Sequence, residues 1–178
     1  VAEAGANRIR FVNPNGDATV LRTGQSTSGF LDGPASVARF DTPQTVTADS
    51  AGNLFVIDSG NHAVRKVDTS DVTSTVAGTG GTGSADNVVG TLATFNTPYG
   101  IAIDSNDYVF VSDINNVAIR TLSPAGVVST VLSAGLTSPW GIAVHPTSGD
   151  LYVVDLGEEV VKAYQTTPSA PVLPPTAP

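Results

Sequence analysis

Gly52-Asn53-Leu54-Phe55-Val56-Ile57-Asp58-Ser59-Gly60-Asn61-His62-Ala63-Val64-Arg65-Lys66-Val67 is the stretch on which the rest of the chain is patterned. It predicts two short strands joined by a tight polar turn. Leu54, Val56 and Val64 place apolar and β-branched residues at strand positions, and Asp58-Ser59-Gly60-Asn61 is a dense turn signal. The pattern recurs at Val1-Ala2-Glu3-Ala4-Gly5-Ala6-Asn7-Arg8-Ile9-Arg10, at Val111-Ser112-Asp113-Ile114-Asn115-Asn116-Val117-Ala118-Ile119-Arg120 and at Val153-Val154-Asp155-Leu156-Gly157-Glu158-Glu159-Val160-Val161-Lys162. The chain is therefore built from repeats.

The register of the repeat is regular. Arg10, Arg65 and Arg120 are 55 residues apart, with Lys162 following after 42. An independent landmark moves in step, since Pro43 to Pro98 is 55 and Pro98 to Pro139 is 41. The second copy predicts strands near 44–48, 53–57, 63–67 and 72–77, and the third near 99–103, 108–112, 118–122 and 127–132. Four short strands per unit of this length is the profile of a β-propeller blade, and no stretch has the 3.6-residue period of a helical solenoid.

Composition agrees and narrows the function classes. Val, Thr and Gly abound and helix-favouring residues are scarce, so the fold class is all-β. A net charge of -8, with only eight Lys and Arg in total, argues against nucleic acid as a partner, because phosphate binding needs a clustered cationic face. No apolar run approaches the roughly 20 residues of a helical membrane span. Without cysteine there are no disulfides and no thiolate metal sites. Without methionine, the chain is expected to be a processed product or a fragment.

Phe95-Asn96-x-Pro98-x-Gly100-Ile101-Ala102-Ile103-Asp104, with the Val-x-Asp turn and the closing Val-Ser-Thr-Val, resembles the NHL repeat. Gly60-Asn61-His62-Ala63-Val64-Arg65-Lys66 is the best single match, with Ala63 departing from the usual third position of the name-giving motif. The loops Gly78–Phe95 and Leu31–Phe40 resemble the family's glycine-rich connections between blades. The resemblance covers about residues 1–165 and implies a propeller, usually of six blades. The expected division is a partial blade at 1–40, blades at 41–95 and 96–135, a partial blade at 136–165 and a separate tail at 166–178.

On this count the first copy begins inside its second strand, and the last has its first three strands without the outermost one. A propeller closes by completing one blade from both chain ends, so the ring in this chain is expected to be incomplete. The gaps call for other protein chains as partners, either further propeller sequence or copies of the same chain. The tail is different material. Thr167-Pro168-Ser169-Ala170-Pro171-Val172-Leu173-Pro174-Pro175-Thr176-Ala177-Pro178 has too few donors for a sheet and is expected to be polyproline II. Ser/Thr-rich segments with proline also read as O-glycosylated stalks. Its Thr-Pro and Ala-Pro steps resemble the glycomodules of hydroxyproline-rich surface glycoproteins. Candidate sugar sites are Thr166, Thr167, Ser169 and Thr176, and hydroxylated Pro168, Pro171, Pro174, Pro175 and Pro178.

Residues able to do chemistry are few. His62 and His145 are the only histidines, from different repeat environments, and a catalytic zinc site typically needs three protein ligands. Both are expected to be hydrogen-bonded turn residues. Asp58, Asp113 and Asp155 recur after the second strand, with Glu3 in the same slot. They could ring an axis and hold calcium, but since the repeat sets them in every copy they are expected to accept backbone N–H bonds in their own turns. Arg10, Arg65, Arg120 and Lys162 are expected to stack or pair between blades. No serine lies in a Gly-x-Ser-x-Gly elbow, and no glycine-rich loop opens a helix. Trp140, the single tryptophan, stands where the other copies have Gln44 and Tyr99, and could pack near the axis or stack on a sugar.

No catalytic residue, metal site or cofactor is thus assigned. The leading expectation is a non-enzymatic extracellular or cell-surface scaffold for adhesion or assembly, with glycans and other chains as partners, in a filament or surface array. The alternative is a propeller enzyme, a metal-dependent lyase or hydrolase, whose catalytic residues lie in blades outside this chain. An intracellular interaction module of the tripartite-motif kind fits the acidic balance and the tail least.

Overall fold

The computed structural model describes residues 1–15 and 19–165. The tail, and with it every candidate sugar site, lies outside the described residues. Four antiparallel sheets follow one another along the chain. The first is β1 (Ala2–Glu3), β2 (Arg8–Val12) and β3 (Thr19–Thr23). The second has β4 (Gly33–Pro34) at its outer edge, then β8 (Val72–Ala77), β7 (Ala63–Val67), β6 (Leu54–Asp58) and β5 (Pro43–Ala48). The third is β9 (Pro98–Ile103) to β12 (Val128–Leu132) by way of β10 (Val109–Asp113) and β11 (Ala118–Leu122). The fourth is β13 (Pro139–Val144), β14 (Leu151–Asp155) and β15 (Val160–Tyr164). The strands β5, β9 and β13 lie side by side as successive inner strands, with β1 next to β5. The fold is an all-β propeller of NHL type whose ring is incomplete among the described residues.

Each inner strand starts one residue earlier than its hydrophobic pattern indicates, at a proline. Pro43, Pro98 and Pro139 pair with Asp58, Asp113 and Asp155, the residues that end the second strands. Proline is tolerated there because the first residue of a strand can forgo a ladder donor. A second difference is β4. The connection entering the second blade lays Gly33 and Pro34 against Thr73 and Val72, adding a fifth strand outside the four expected.

The core lies between sheets. Ile9, Phe40, Val56 and Val67 fill the space between the first and second blades, and Phe55, Ile57, Phe95 and Val111 that between the second and third. Phe110, Ile119, Leu136, Leu151 and Val153 fill the last. Middle blades are therefore buried on both faces, as β6 shows with Phe55, Val56 and Ile57 all inside. In the fourth blade β14 returns to strict alternation, with Leu151, Val153 and Asp155 buried and Tyr152 and Val154 exposed. Inner strands approach closely enough to dictate sequence. A Cβ on Gly100 would fall onto the carbonyl oxygen of Trp140 in the next blade, so only glycine fits.

Candidate functional site

The repeated carboxylates and cations form one clamp per blade. In the second blade Asp58 and Arg65 are both fully buried and 2.7 Å apart. Asp58 also accepts the backbone N–H of Asp41 at 2.7 Å and the Asn61 side-chain amide at 2.9 Å. Arg65 donates onward to the carbonyls of Arg39 and Leu31 and to Asp32, all in the loop entering the blade. Its guanidinium lies over the rings of Phe30 and Phe40. Asp32 in turn accepts the N–H and hydroxyl of Thr75 on the outer strand. One arginine thus ties the entry loop, the second strand and, through Asp32, the fourth strand into a unit.

The third blade repeats the clamp, with one further bond from Arg120 Nε to Asp86. Arg120 meets Asp113 at 3.0 Å, Asp86 at 2.7 Å and the carbonyls of Thr94 and Ala85, over the ring of Phe95. Asp113 accepts from Asn96 N–H and Asn116, and Asp86 from Thr130. The outer blades carry the same pairing of an acidic residue with a cation. Arg10 reaches Glu3 at 2.8 Å, and Lys162 reaches Asp155, Glu158 and the carbonyl of Gly135.

Burial sets the electrostatics. It pushes the Asp58 carboxyl up to about 6 against the opposing pull of Asn61, the Asp41 N–H and Arg65, and it raises Asp113 likewise. At Asp155 burial acts in the same sense but is outweighed by bonds from Thr137, Lys162 and Ser138, which hold it below the usual carboxylate range. Asp32 is also held low, burial being outweighed by Thr75 and Arg65.

These carboxylates do not ring an axis for a cation; each is turned into its own blade. Nor do their donors come only from their own turns. They come chiefly from Asp41, Asn96, Thr137 and Ser138, 17 or 18 residues upstream, where the chain enters the blade. Among the described residues no group of three His, Asp or Glu side chains is placed to hold a metal ion.

Both histidines accept backbone N–H bonds. His62 sits at φ 49° and takes the Thr97 N–H of the next blade on Nδ1 at 3.1 Å. Asn7, at the same position and φ 54°, takes the Thr42 N–H at 2.9 Å. This residue is thus a latch between blades rather than only a turn former. Val117 fills the slot in the third blade, at φ 49°, where a β-branched residue is strained and has no acceptor to offer. There Asp155 takes both the Thr137 and the Ser138 N–H instead. His145 stands where Asp49 and Asp104 cap the equivalent turns, and its Nδ1 accepts from Thr147 and Ser148 as their carboxylates accept from Ala51, Asn53, Asn106 and Tyr108.

Two surfaces lie at the ends of the inner strands. At one end of the inner strands a cleft of about 330 Å³ is lined by Asp49, Ser50, Asp104, Asp107, Val144 and Pro146, with Asp107 bonded to Ser50 across blades. At the other end Trp140 meets Tyr99, ring centroids 4.5 Å apart and planes tilted by 55°. Trp140 Nε1 donates to Ser138 Oγ at 3.1 Å, which fixes its ring. Thr45 donates to the Tyr99 carbonyl, and Ser112 accepts Gly100 N–H while donating to the Trp140 carbonyl. The pair is half-buried on a rigid base. Tyr99 as the partner of Trp140 was legible only as a shared repeat position, and Asp32 and Asp86 only as acidic residues in two echoing loops.

The NHL repeat profile matches residues 40–67. The NHL repeat-containing protein 2 of Bos taurus is 39% identical over 99 residues, 53% of this chain but 13% of its own length. An auxiliary nutrient binding protein from Bacteroides thetaiotaomicron superposes with a TM-score of 0.68 at 15% identity, over 90% of this chain and 43% of its own. The virginiamycin B lyase of Staphylococcus aureus superposes with a TM-score of 0.61 at 14% identity, over 93% and 51%. At such identities the likeness is one of fold alone, and the chain spans about half or less of each of these three. The NHL-repeat-containing protein 4 of Homo sapiens is 34% identical over 88 residues, which are 47% of this chain and 71% of that protein. The matched repeat, the clamp in each blade and this relative, most of whose length is covered, together place the chain in the NHL-repeat family.

Proposed function

We propose that the chain is part of a non-enzymatic scaffold, extracellular or on the cell surface, in which propeller blades are carried on an O-glycosylated Pro-rich stalk and assemble with other chains. One observation carries this reading: among the described residues, the repeated aspartates and both histidines are engaged in structural hydrogen bonds. Asp58, Asp113 and Asp155 are fully buried and engaged with backbone amides and a cation, and His62 and His145 each offer Nδ1 to backbone N–H groups. What is left half-exposed is a surface for contact, Trp140 with Tyr99, suited to stacking on apolar or sugar rings.

Intact and peptide-level mass measurement on protein from its natural source tests the stalk. The expected result is hexose or pentose additions on residues 166–178, at Thr166, Thr167, Ser169, Thr176 or hydroxylated prolines. A mass equal to the bare polypeptide would refute the glycosylated stalk. The rival, a metal-dependent lyase or hydrolase with catalytic residues in other blades, predicts stoichiometric metal in the full-length protein, whereas the scaffold predicts none.

A further inference from the structure

We infer that the Tyr99–Trp140 pair is a docking site for the Pro-rich segment 166–178 of a second copy of this chain; the inference rests on the assembling-scaffold reading. The sequence of the segment supplies the ligand. Pro168, Pro171 and Pro174 recur at every third residue, and Pro175 and Pro178 repeat the interval. Polyproline II has three residues per turn, so prolines at this interval share one edge of the rod, and such edges dock on aromatic-lined grooves at low entropic cost. The blades supply the aromatic surface. Two half-buried rings tilted by 55° at 4.5 Å form a wedge, and Trp140 is held in place through Ser138. Gln44 occupies the corresponding position on the next inner strand, a side chain able to bond the carbonyls that polyproline II leaves free.

The source is a neighbour rather than the same molecule, because the strand register fixes where the segment leaves. Leu151 pairs with Val144 on one side and with Tyr164 on the other, while Pro139 pairs with Asp155 and Asp155 with Val160. β15 thus runs parallel to β13, away from Trp140, and the chain leaves at the opposite end of the blade on its outer strand. The four residues from Trp140 to Val144 separate the two ends by about 13 Å at a strand rise of about 3.3 Å per residue. A polyproline II rod continuing the line of β15 would move away from its own aromatic pair and toward the Trp140 end of a molecule beyond it. Such a contact is heterologous, head to tail, and propagates unless the rotation closes.

Trp140 is the only tryptophan, so its fluorescence reports on the site without labelling. The full chain is titrated in concentration while emission and sedimentation are followed together. Docking in trans predicts a blue shift with the same concentration midpoint as the rise in mass. The triple variant Pro168→Ala/Pro171→Ala/Pro174→Ala, altered outside the blades, is expected to lose both, and Tyr99→Ala to weaken association at least ten-fold. Association that proceeds without change at Trp140, or equally well in the proline variant, overturns the docking and leaves the scaffold standing. A blue-shifted emission independent of concentration that the proline variant abolishes overturns docking in trans. A chain that stays monomeric throughout overturns both the docking and the self-assembling form of the scaffold.

Discussion

Replacing Arg120 isolates what the clamp contributes, because its five hydrogen bonds and its two ion pairs can be followed one by one. In Arg120→Met, Asp113 stays fully buried and keeps Asn96 and Asn116 but loses its only cation partner. The carbonyls of Thr94 and Ala85 each lose a donor, at about 1 kcal/mol apiece. Asp86 is 39% exposed, so its share is screened and small. The dominant cost is the stranded carboxylate, since breaking a buried pair on one side typically costs about 3–5 kcal/mol. Methionine refills part of the volume over Phe95, which offsets some of this. Burying the methionine returns about 2 kcal/mol, so a net loss of about 3–5 kcal/mol at pH 7 is expected from urea unfolding followed by circular dichroism. At pH 5 the loss should shrink, because Asp113, already raised by burial, can then take up a proton. Hydrogen exchange localises the effect: the Asn96 and Thr130 amides, held by Asp113 and Asp86, should exchange faster, and those of the second blade should not. Arg120→Lys, the arrangement that Lys162 already has, should lose only about 1–2 kcal/mol, because it keeps the charge and gives up the planar fork. A methionine variant within 1 kcal/mol of the parent, or a lysine variant no better than methionine, would refute the reasoning.

The latch and the pH profile give two further tests. His62→Asn should leave stability within about 0.5 kcal/mol, since Asn7 makes the same bond at the same φ, whereas His62→Ala should cost about 1–2 kcal/mol by orphaning the Thr97 N–H, measured by the same urea curves. Asp58 and Asp113 bind protons more tightly folded than unfolded, so their contribution is greatest below about pH 4 and is lost as pH rises through about 6 for Asp58; Asp155 and Asp32 act in the opposite sense, in the acid range. Melting temperature against pH should therefore peak near pH 4–5 and fall to a plateau above about 7, and a steady rise to pH 7 would count against the raised carboxyls.

The strands were legible because their information is local. β7 and β8 fall where Ala63–Val67 and Val72–Ala77 alternate and branch, and the proline that opens each inner strand lies one residue outside the apolar pattern. β4 was not legible, because Gly33-Pro34 carries no strand preference and becomes one only by lying against Thr73 and Val72 some forty residues later. The same holds for the site. The repeat predicts that Arg65 stacks or pairs between blades, but it pairs with Asp58 seven residues back in its own hairpin, and the other donors to Asp58 include a backbone amide 17 residues upstream; neither contact could be read from the repeat spacing alone. His62 looked like a turn residue because its partner Thr97 belongs to the next blade; the better signal was Asn7 in the same slot, a residue with the same ability to accept at positive φ. Trp140 and Tyr99 were aligned by the repeat, but their contact depends on how closely β9 and β13 approach, which Gly100 permits.

The gradation of the clamp along the chain explains why a buried charge is retained at all. Connections between blades are glycine-rich and are anchored in the core chiefly at their ends, by Ala38 and Phe40 and by Ala93 and Phe95, so hydrophobic packing alone would leave the rest of their path loosely specified. A guanidinium buried at their base converts the path into a set of directional bonds that only one register satisfies, at an electrostatic cost visible in the raised carboxyls of Asp58 and Asp113. Where a blade is covered on both faces the full device is present, with a second aspartate, Asp32 or Asp86, extending it to the outer strand. In the fourth blade the loop before β13 has Ser133-Ala134-Gly135 and no such aspartate, and Lys162 turns to Glu158 in its own hairpin. With one face of this blade open, Lys162 stays 19% exposed where Arg65 and Arg120 are buried. Clamp strength thus follows burial, which is the pattern of a structural device.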